Sequence, residues 1–352
     1  MHVEDKIFVA GHRGLLGSAL VRSLRRQGYQ NLLLRTHDEL DLADRAAVAR
    51  LFDQERPAYV LMAAAHVGGI LANQHFPVEF LEQNLRIQDS VIDCSYRFDV
   101  RRLLFLGSSC IYPRDCPQPI REEYLLTGPL ETSNRAYAVA KIAGIEQCWA
   151  YNRQHGTTFL AAMPCNLYGG GDNYDLKRSH VLPALLRKMT EARVKGASEC
   201  RLWGTGAARR EFLISDDCAE ACIHVMNLSD KDLRPILSSD TAPLFNIGSG
   251  EEIRISDLAQ MIASNVGYHG YLRFDANLPD GTPRKVLDCS RIRRLGWSPQ
   301  VSLKEGVQRT YLSVRTMLEG LATLPSCRDP LVPALDDMEG VKFDTSAWSN
   351  AC

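Results

Sequence analysis

The chain has 352 residues, of which 45% are hydrophobic and 24% charged, and its formal net charge is −1. That length suits one large or two coupled domains, and the near-neutral charge gives no electrostatic footprint for nucleic acid or an anionic membrane as partner. No apolar run approaches the ~18 residues that a membrane span needs. The polar start Met1-His2-Val3-Glu4-Asp5-Lys6 argues against a signal peptide. The 11 cysteines are odd in number, scattered, and include no Cys-x-x-Cys pair. This pattern fits reduced thiols in a cytoplasm better than a disulfide framework or a zinc site, so no metal is expected.

The first half alternates short apolar runs with helical patterns, which predicts βαβ units on a parallel sheet. Ile7–Ala10 reads as a strand, Gly17–Gln27 as a helix, and Leu32–Leu34 as a second strand before a helix across Arg45–Asp53. Tyr59–Ala65 is a third strand and Leu103–Leu106 a fourth, with a long helix around Glu79–Tyr96 between them. A Pro-rich loop, Tyr112–Pro119, leads to a helix from about Ala136 to Asn152 and then to a fifth strand, Phe159–Pro164. Beyond Asp172 the alternation weakens. The expected architecture is therefore α/β, a Rossmann-type doubly wound parallel sheet over 1–172, with returning segments around 210–250 (Phe212–Asn227 and Leu244–Gly248). A smaller α/β lobe is expected over 173–320. The stretch 321–352 is rich in Pro and Asp without helical period and reads as a tail.

Gly11-His12-Arg13-Gly14-Leu15-Leu16-Gly17 lies between the first strand and the first helix. Glycines at this spacing permit a tight turn and close backbone approach to a pyrophosphate at the positive end of a helix. A ligand-free Gly-rich turn is the plainer reading, and the strand–helix context favours the cofactor. An acidic residue about 20 positions on commonly holds the ribose 2′-hydroxyl of NAD. Here the second strand runs into Arg35-Thr36-His37, and Arg13 lies inside the loop. Two guanidinium groups suit the 2′-phosphate of NADP, although Arg35 alone also reads as a solvated residue at a strand end.

Tyr137 and Lys141 stand at i and i+4 on one helical face. A free tyrosine has a pKa of ~10, and a neighbouring ammonium favours its ionised form, which is what a proton-exchanging group needs. Tyr-x-x-x-Lys is common by chance, but Gly107-Ser108-Ser109-Cys110 ends the preceding strand. Ligands of open α/β sheets bind at such strand ends, where Ser108 and Tyr137 can meet.

These segments, with Ala63-Ala64-Ala65-His66-Val67-Gly68-Gly69, Ile111-Tyr112-Pro113, Asn166-Leu167-Tyr168-Gly169, Ser179-His180-Val181, Trp203-Gly204, Arg210-Glu211-Phe212 and Pro279 to Lys285, resemble the GDP-L-fucose synthase family of extended short-chain dehydrogenases/reductases. The resemblance runs to about Gly320. It departs at Gly170-Gly171, where a Pro-containing turn is usual, and the tail has no counterpart. It implies a substrate GDP-4-keto-6-deoxy-D-mannose, epimerised at C3 and C5 and then reduced at C4. It implies Cys110 as base and His180 as acid on opposite faces of the sugar, Ser108 and Tyr137 on O4, and Lys141 on the nicotinamide ribose. NADPH/NADP+ would lie along Gly11–Gly17 (His12, Arg13, Gly14, Leu15 and Leu16 between them), Arg35, Asp41, Leu42, Ala63, Ala64, Ala65, Leu106, Gly107, Ser108, Lys141, Pro164, Asn166, Leu167 and His180. Lys188, Trp203, Arg210 and Asp280 would hold the GDP moiety, and a homodimer would form through the two long helices. Outside the resemblance, Cys110 also reads as a small buried residue, His180 as a helix N-terminal one, and Lys188, Trp203 and Arg210 as lobe packing and surface charge.

Three alternatives remain on the sequence. A 4-epimerase recycles its hydride and has no need of Cys110 and His180 as a pair. A 4,6-dehydratase carries an acidic pair where this chain has Ser109-Cys110. A catalytically silent NADPH-binding regulator would be expected to lose Tyr137, Lys141 or Ser108, and all three are present.

Overall fold

The structure, a computed structural model, describes residues 1–176, 179–278 and 281–323, the side chains of residues 70 and 71 excepted. The chain begins with β1 (Ile7–Ala10), α1 (Leu15–Arg26), β2 (Leu32–Leu33), α2 (Arg45–Glu55) and β3 (Tyr59–Met62). It continues through α3 (Ile70–His75), α4 (Pro77–Arg97), β4 (Arg102–Leu106), α5 (Arg135–His155), β5 (Phe159–Pro164) and β6 (Asn166–Tyr168). Strands β1 and β3 are buried along their whole length. That is the expected state of parallel strands covered by helices on both faces, and it is why they read as continuous apolar runs. Helix α1 buries Leu16, Ala19, Leu20 and Leu24, a single stripe at helical spacing. Helix α2 starts where the Asp44 carboxylate accepts from the N–H groups of Ala46 and Ala47. Helix α5 stops at Gly156, whose φ of 68° a glycine adopts without strain.

The second half comprises α6 (Val181–Val194), β7 (Glu199–Trp203), β8 (Arg209–Ile214), α7 (Ser215–Asn227), α8 (Asp230–Leu237), β9 (Leu244–Ile247) and β10 (Glu252–Arg254). It ends with α9 (Ile255–Val266), β11 (Tyr271–Asp275), β12 (Arg284–Lys285), α10 (Ser290–Arg294) and α11 (Leu303–Thr323). Six strands form one parallel sheet in the order β2-β1-β3-β4-β5-β9. The first connection runs from β1 to β2 on one side and the next crosses to β3 on the other. The direction of winding therefore reverses between β1 and β3, the place where such sheets take ligands. A second apolar core gathers Leu186, Met189, Phe212, Ile262, Val307 and Leu318 from α6, α9, α11 and the small sheets. Strand β8 joins the two regions, pairing with β10 and β12 through its first half and with β6 through its second.

Several boundaries differ from expectation. Leu34 and Ala63–Ala65 lie past the ends of their strands, where the chain opens into the cleft. Within 210–250, α7 packs against α1 and β9 completes the large sheet, whereas β8 belongs to a smaller one. Leu321–Thr323 is the last turn of α11 rather than the start of a tail, and 324–352 lies outside the described residues. Among the described residues no helix is long and apolar enough to cross a membrane.

Candidate active site

The loop after β1 is built for close approach. Gly11 has φ +78°, and a Cβ there would stand 2.6 Å from the backbone N of Ala64. A Cβ on Gly17 would stand 1.9 Å from the Gly11 carbonyl oxygen. The Gly14 N–H closes the turn onto that same carbonyl at 3.1 Å. Gly14 then caps α1 without a side chain, so the first N–H groups of the helix keep their capacity for an anion. Beside this turn a cavity is lined by Gly11, His12, Arg13, Arg35, Asp41, Leu42 and Ala64, and also by Thr36, His37 and Asp38. Burial, and then the neighbouring Arg13 guanidinium, lowers the His12 pKa. A cradle that any Cβ would fill and a rim carrying two arginines fit a dinucleotide with a 2′-phosphate.

The two arginines differ in their surroundings. Both line the cavity, but Arg35 donates to Glu55 and to the Leu34 carbonyl, each at 2.9 Å. It is neither a solvated strand end nor an uncommitted cation. Arg13 is exposed and forms no ion pair among the described residues.

At the next strand end, a Cβ on Gly107 would run into the Met163 side chain, so the chain leaves β4 tight against β5. Ser108 then opens a single 3-10 turn, Ser109–Ile111, with its Oγ 3.5 Å from the Cys110 N–H, the outer limit of a hydrogen bond. Lys141 is only 2% exposed. Its ammonium donates to the Leu106 carbonyl at 2.9 Å and lies 5.8 Å from the centre of the Tyr137 ring. The helical spacing thus brings Tyr137 and Lys141 together against the end of β4. The half-buried Tyr137 ring is fixed edge-on to Phe80 at 6.3 Å.

Cys110 is buried, and burial pushes its thiol above the ordinary range. Four influences act against that rise: the Lys285 ammonium first, then a hydrogen bond from Ser108, then Lys141, then a backbone N–H hydrogen bond. His180 is the residue before α6, solvent-accessible yet ringed by protein, and this desolvation lowers its pKa. Cys110 thus follows the end of a large-sheet strand, whereas His180 stands immediately before α6, a helix that packs into the second core.

The remaining candidates are placed as follows. Leu106 ends β4, Pro164 ends β5, and Asn166 and Leu167 lie on β6, where the Asn166 amide donates to the Glu211 carbonyl at 2.8 Å. Leu15 and Leu16 form the first turn of α1. Ala63 and Ala65 flank Ala64 at the end of β3. Lys188 lies 5.8 Å from the centre of the half-exposed Trp203 ring. Arg210 on β8 is in register with Lys285 on β12. Asp280 lies outside the described residues. A second cavity holds Cys110 with Tyr112, Glu131, Asn134, Thr282, Arg284 and Lys285. Of these, Lys285 carried a signal in the segment from Pro279, whereas Glu131 and Asn134 carried none.

The sequence model of the NAD dependent epimerase/dehydratase family matches residues 7–248. The chain belongs to that family. Within the family it is 52% identical over 306 residues to GDP-L-fucose synthase 1 of Arabidopsis thaliana, covering 87% of this chain and 92% of the relative. It is 48% identical over 312 residues to the GDP-L-fucose synthase of Escherichia coli, covering 88% and 96%. A crystal structure of a GDP-L-fucose synthetase from Naegleria fowleri bound to NADP superposes with a TM-score of 0.80 at 27% identity, covering 91% of this chain and 96% of that one.

Proposed function

We propose that the protein converts GDP-4-keto-6-deoxy-D-mannose to GDP-L-fucose, epimerising C3 and C5 and then reducing the C4 ketone with NADPH. The reading is supported by Lys141 lying beside the Tyr137 ring at the end of β4, where the Ser108–Cys110 turn begins, and by Cys110 sharing a cavity with Lys285. The C4 carbonyl acidifies the protons on C3 and C5. Cys110 as thiolate removes one from one face, and His180 delivers one to the other. Ser108 and Tyr137 donate hydrogen bonds to O4 and stabilise the enolate. Bound NADPH supplies hydride to C4. Tyr137 gives its proton to O4, and Lys141, already anchored on Leu106, holds the nicotinamide ribose. Arg13 and Arg35 receive the 2′-phosphate; Lys188, Trp203 and Arg210 receive the GDP moiety.

In this reading 1–172, with α7 and β9, binds the cofactor, and 173–320 binds the nucleotide sugar; the existence of two apolar cores supports two regions, although the first core also takes in Leu233 of α8 and Ile292 of α10. The second function class, a silent NADPH-binding regulator, gains no observation. The protein pairs as a homodimer through α4 and α5. Support comes from exposed Val78 and Val139 on those helices and from Trp149, whose buried indole N–H has no hydrogen-bond partner among the described residues. A cytoplasmic location fits the free thiols of every described cysteine. The test is incubation with GDP-4-keto-6-deoxymannose and NADPH, followed by NMR identification of the sugar. GDP-L-fucose is the expected product, and a product with unchanged C3 and C5, or no consumption of NADPH, would overturn the proposal.

A further inference from the structure

The segment that carries Cys110 and the segment that carries Lys285 are far apart in the chain, yet the fold binds them to each other. The Ile120 N–H donates to the Val286 carbonyl at 2.8 Å, and the Asp288 N–H returns to the Ile120 carbonyl at 2.8 Å. The Gln118 side-chain oxygen accepts from the Val286 N–H at 3.0 Å. A third element locks this seam. The buried Asn246 amide, on β9, donates to the carbonyls of Ile120 and Asp288 at 2.9 and 3.2 Å. The Tyr112 hydroxyl, two residues past Cys110, donates to the Asn246 side-chain oxygen at 2.6 Å. Such a closed set of buried hydrogen bonds fixes both segments in one geometry. Cys110 and Lys285 line the same cavity. The Lys285 ammonium makes no ion pair or hydrogen bond among the described residues.

We propose that Lys285 is a positioning residue of the reaction, its ammonium held against the Cys110 turn so that the thiol is available as thiolate for proton abstraction. The inference rests on the function proposed above. Burial disfavours a thiolate at Cys110, and a charged neighbour is the ordinary way to restore one. The groups facing the pair come from five places. Lys141 projects from α5, Ser108 from the end of β4, and Arg210 from β8 beside Lys285. Glu131, ahead of α5, is an anion that favours the ammonium, and Cys116 lies in the loop after Tyr112. Among the cations Lys285 acts on Cys110 more strongly than Lys141 does. The reciprocal influence appears at Lys285, where burial lowers the ammonium's pKa and Cys110 acts to raise it.

The test is the pH profile of Cys110 alkylation by iodoacetamide in the NADPH-bound enzyme without sugar, between about pH 6 and pH 10, with the modified residue identified by peptide mass. Thiolate absorbance, read as the difference from Cys110→Ser, gives the same midpoint without relying on reagent access. Lys285→Met, or Lys285→Gln should that variant misfold, is expected to raise the midpoint by about one unit and slow alkylation at neutral pH about tenfold. Lys285→Arg should restore the wild-type profile, and deuterium uptake at C3 and C5 should follow the same shift. A midpoint unchanged in both neutral variants overturns the proposal. So does an unchanged midpoint with weaker GDP binding, which makes Lys285 a phosphate ligand only. If the function itself is misread, the alkylation shift persists while wild type shows no exchange at either carbon, so the two failures are distinguishable.

Discussion

Glu211 sits at the crossing of β8, β10 and the chain after β12, completely buried. Its carboxyl accepts from the N–H groups of Gly250 at 2.6 Å and Leu287 at 2.8 Å. Burial outweighs those donors and the nearby Arg293 guanidinium and pushes its pKa to about 7. For an acid whose folded pKa lies above its unfolded value, the stabilising contribution is complete below the unfolded pKa and is lost as pH rises through the folded one. Glu211 therefore weakens the fold progressively between about pH 4.5 and pH 7. At 1.36 kcal/mol per unit the full effect is about 3 kcal/mol, of which about 2 kcal/mol falls between pH 5.5 and pH 8. Glu211→Gln removes this dependence, at a pH-independent loss of about 1 kcal/mol for one backbone N–H left without its acceptor. Unfolding entropy for a chain of this length is roughly 0.7 kcal/mol/K. The melting temperature of Glu211→Gln should thus gain about 3 °C on wild type when both are moved from pH 5.5 to pH 8. Other titrating groups are common to both proteins and cancel. A gap that stays constant within about 1 °C, or moves the other way, would show that the Gly250 and Leu287 donors keep the carboxylate ionised and that desolvation does not govern the site.

Replacing Arg13 and Arg35 together with alanine should remove most of the preference for NADPH over NADH, read as the ratio of kcat/KM for the two cofactors; equal values already in wild type would refute the charge assignment. Because Arg35 is paired with Glu55, the double variant should also melt slightly lower, by no more than about 1 kcal/mol of stability. Tyr137→Phe should cut reduction by ~10²–10⁴-fold with NADPH binding retained by fluorescence titration, and a rate within a factor of about three of wild type would take the proton-donor role away from Tyr137. Cys110→Ser should abolish deuterium uptake at C3 and C5 in heavy water while leaving hydride transfer chemically possible, so that the released GDP-6-deoxyhexose keeps its original configuration. Undiminished exchange at both carbons, in this variant and in His180→Gln, would return both residues to structural status.

The large sheet was legible because its signals are local. Strands buried on both faces read as apolar runs, and the Gly11–Gly17 turn and Tyr137–Lys141 spacing each sit inside about ten residues. The small sheets were not, since β10 and β12 have three and two residues and β7 is buried only at alternate positions. Interactions across elements were beyond reach for the same reason. Nothing near Arg35 in sequence indicates that Glu55, at the far end of α2, would engage it. Nothing near Cys110 shows that burial lifts its thiol or that a lysine from β12 opposes the lift. The residue types at the strand ends could be named from sequence; their electrostatic settings belong to the packing.

The order of the large sheet has a practical consequence. Its sixth strand, β9, is separated from β5 in the chain by about half of the second core, and α7 reaches back to α1 through Arg22–Asp216 at 2.8 Å and Ser23–Glu220 at 2.6 Å. The half built on the large sheet is therefore not a cassette that can be lifted out at one cut. A fragment ending after β6 would leave β5 as a bare edge offering its N–H and C=O groups to any other strand, with an apolar face of the sheet uncovered beside it. Such an edge invites strand-to-strand aggregation. The two cores are interleaved rather than strung in series, and the fold accepts insertions in its surface loops far more readily than division between its halves.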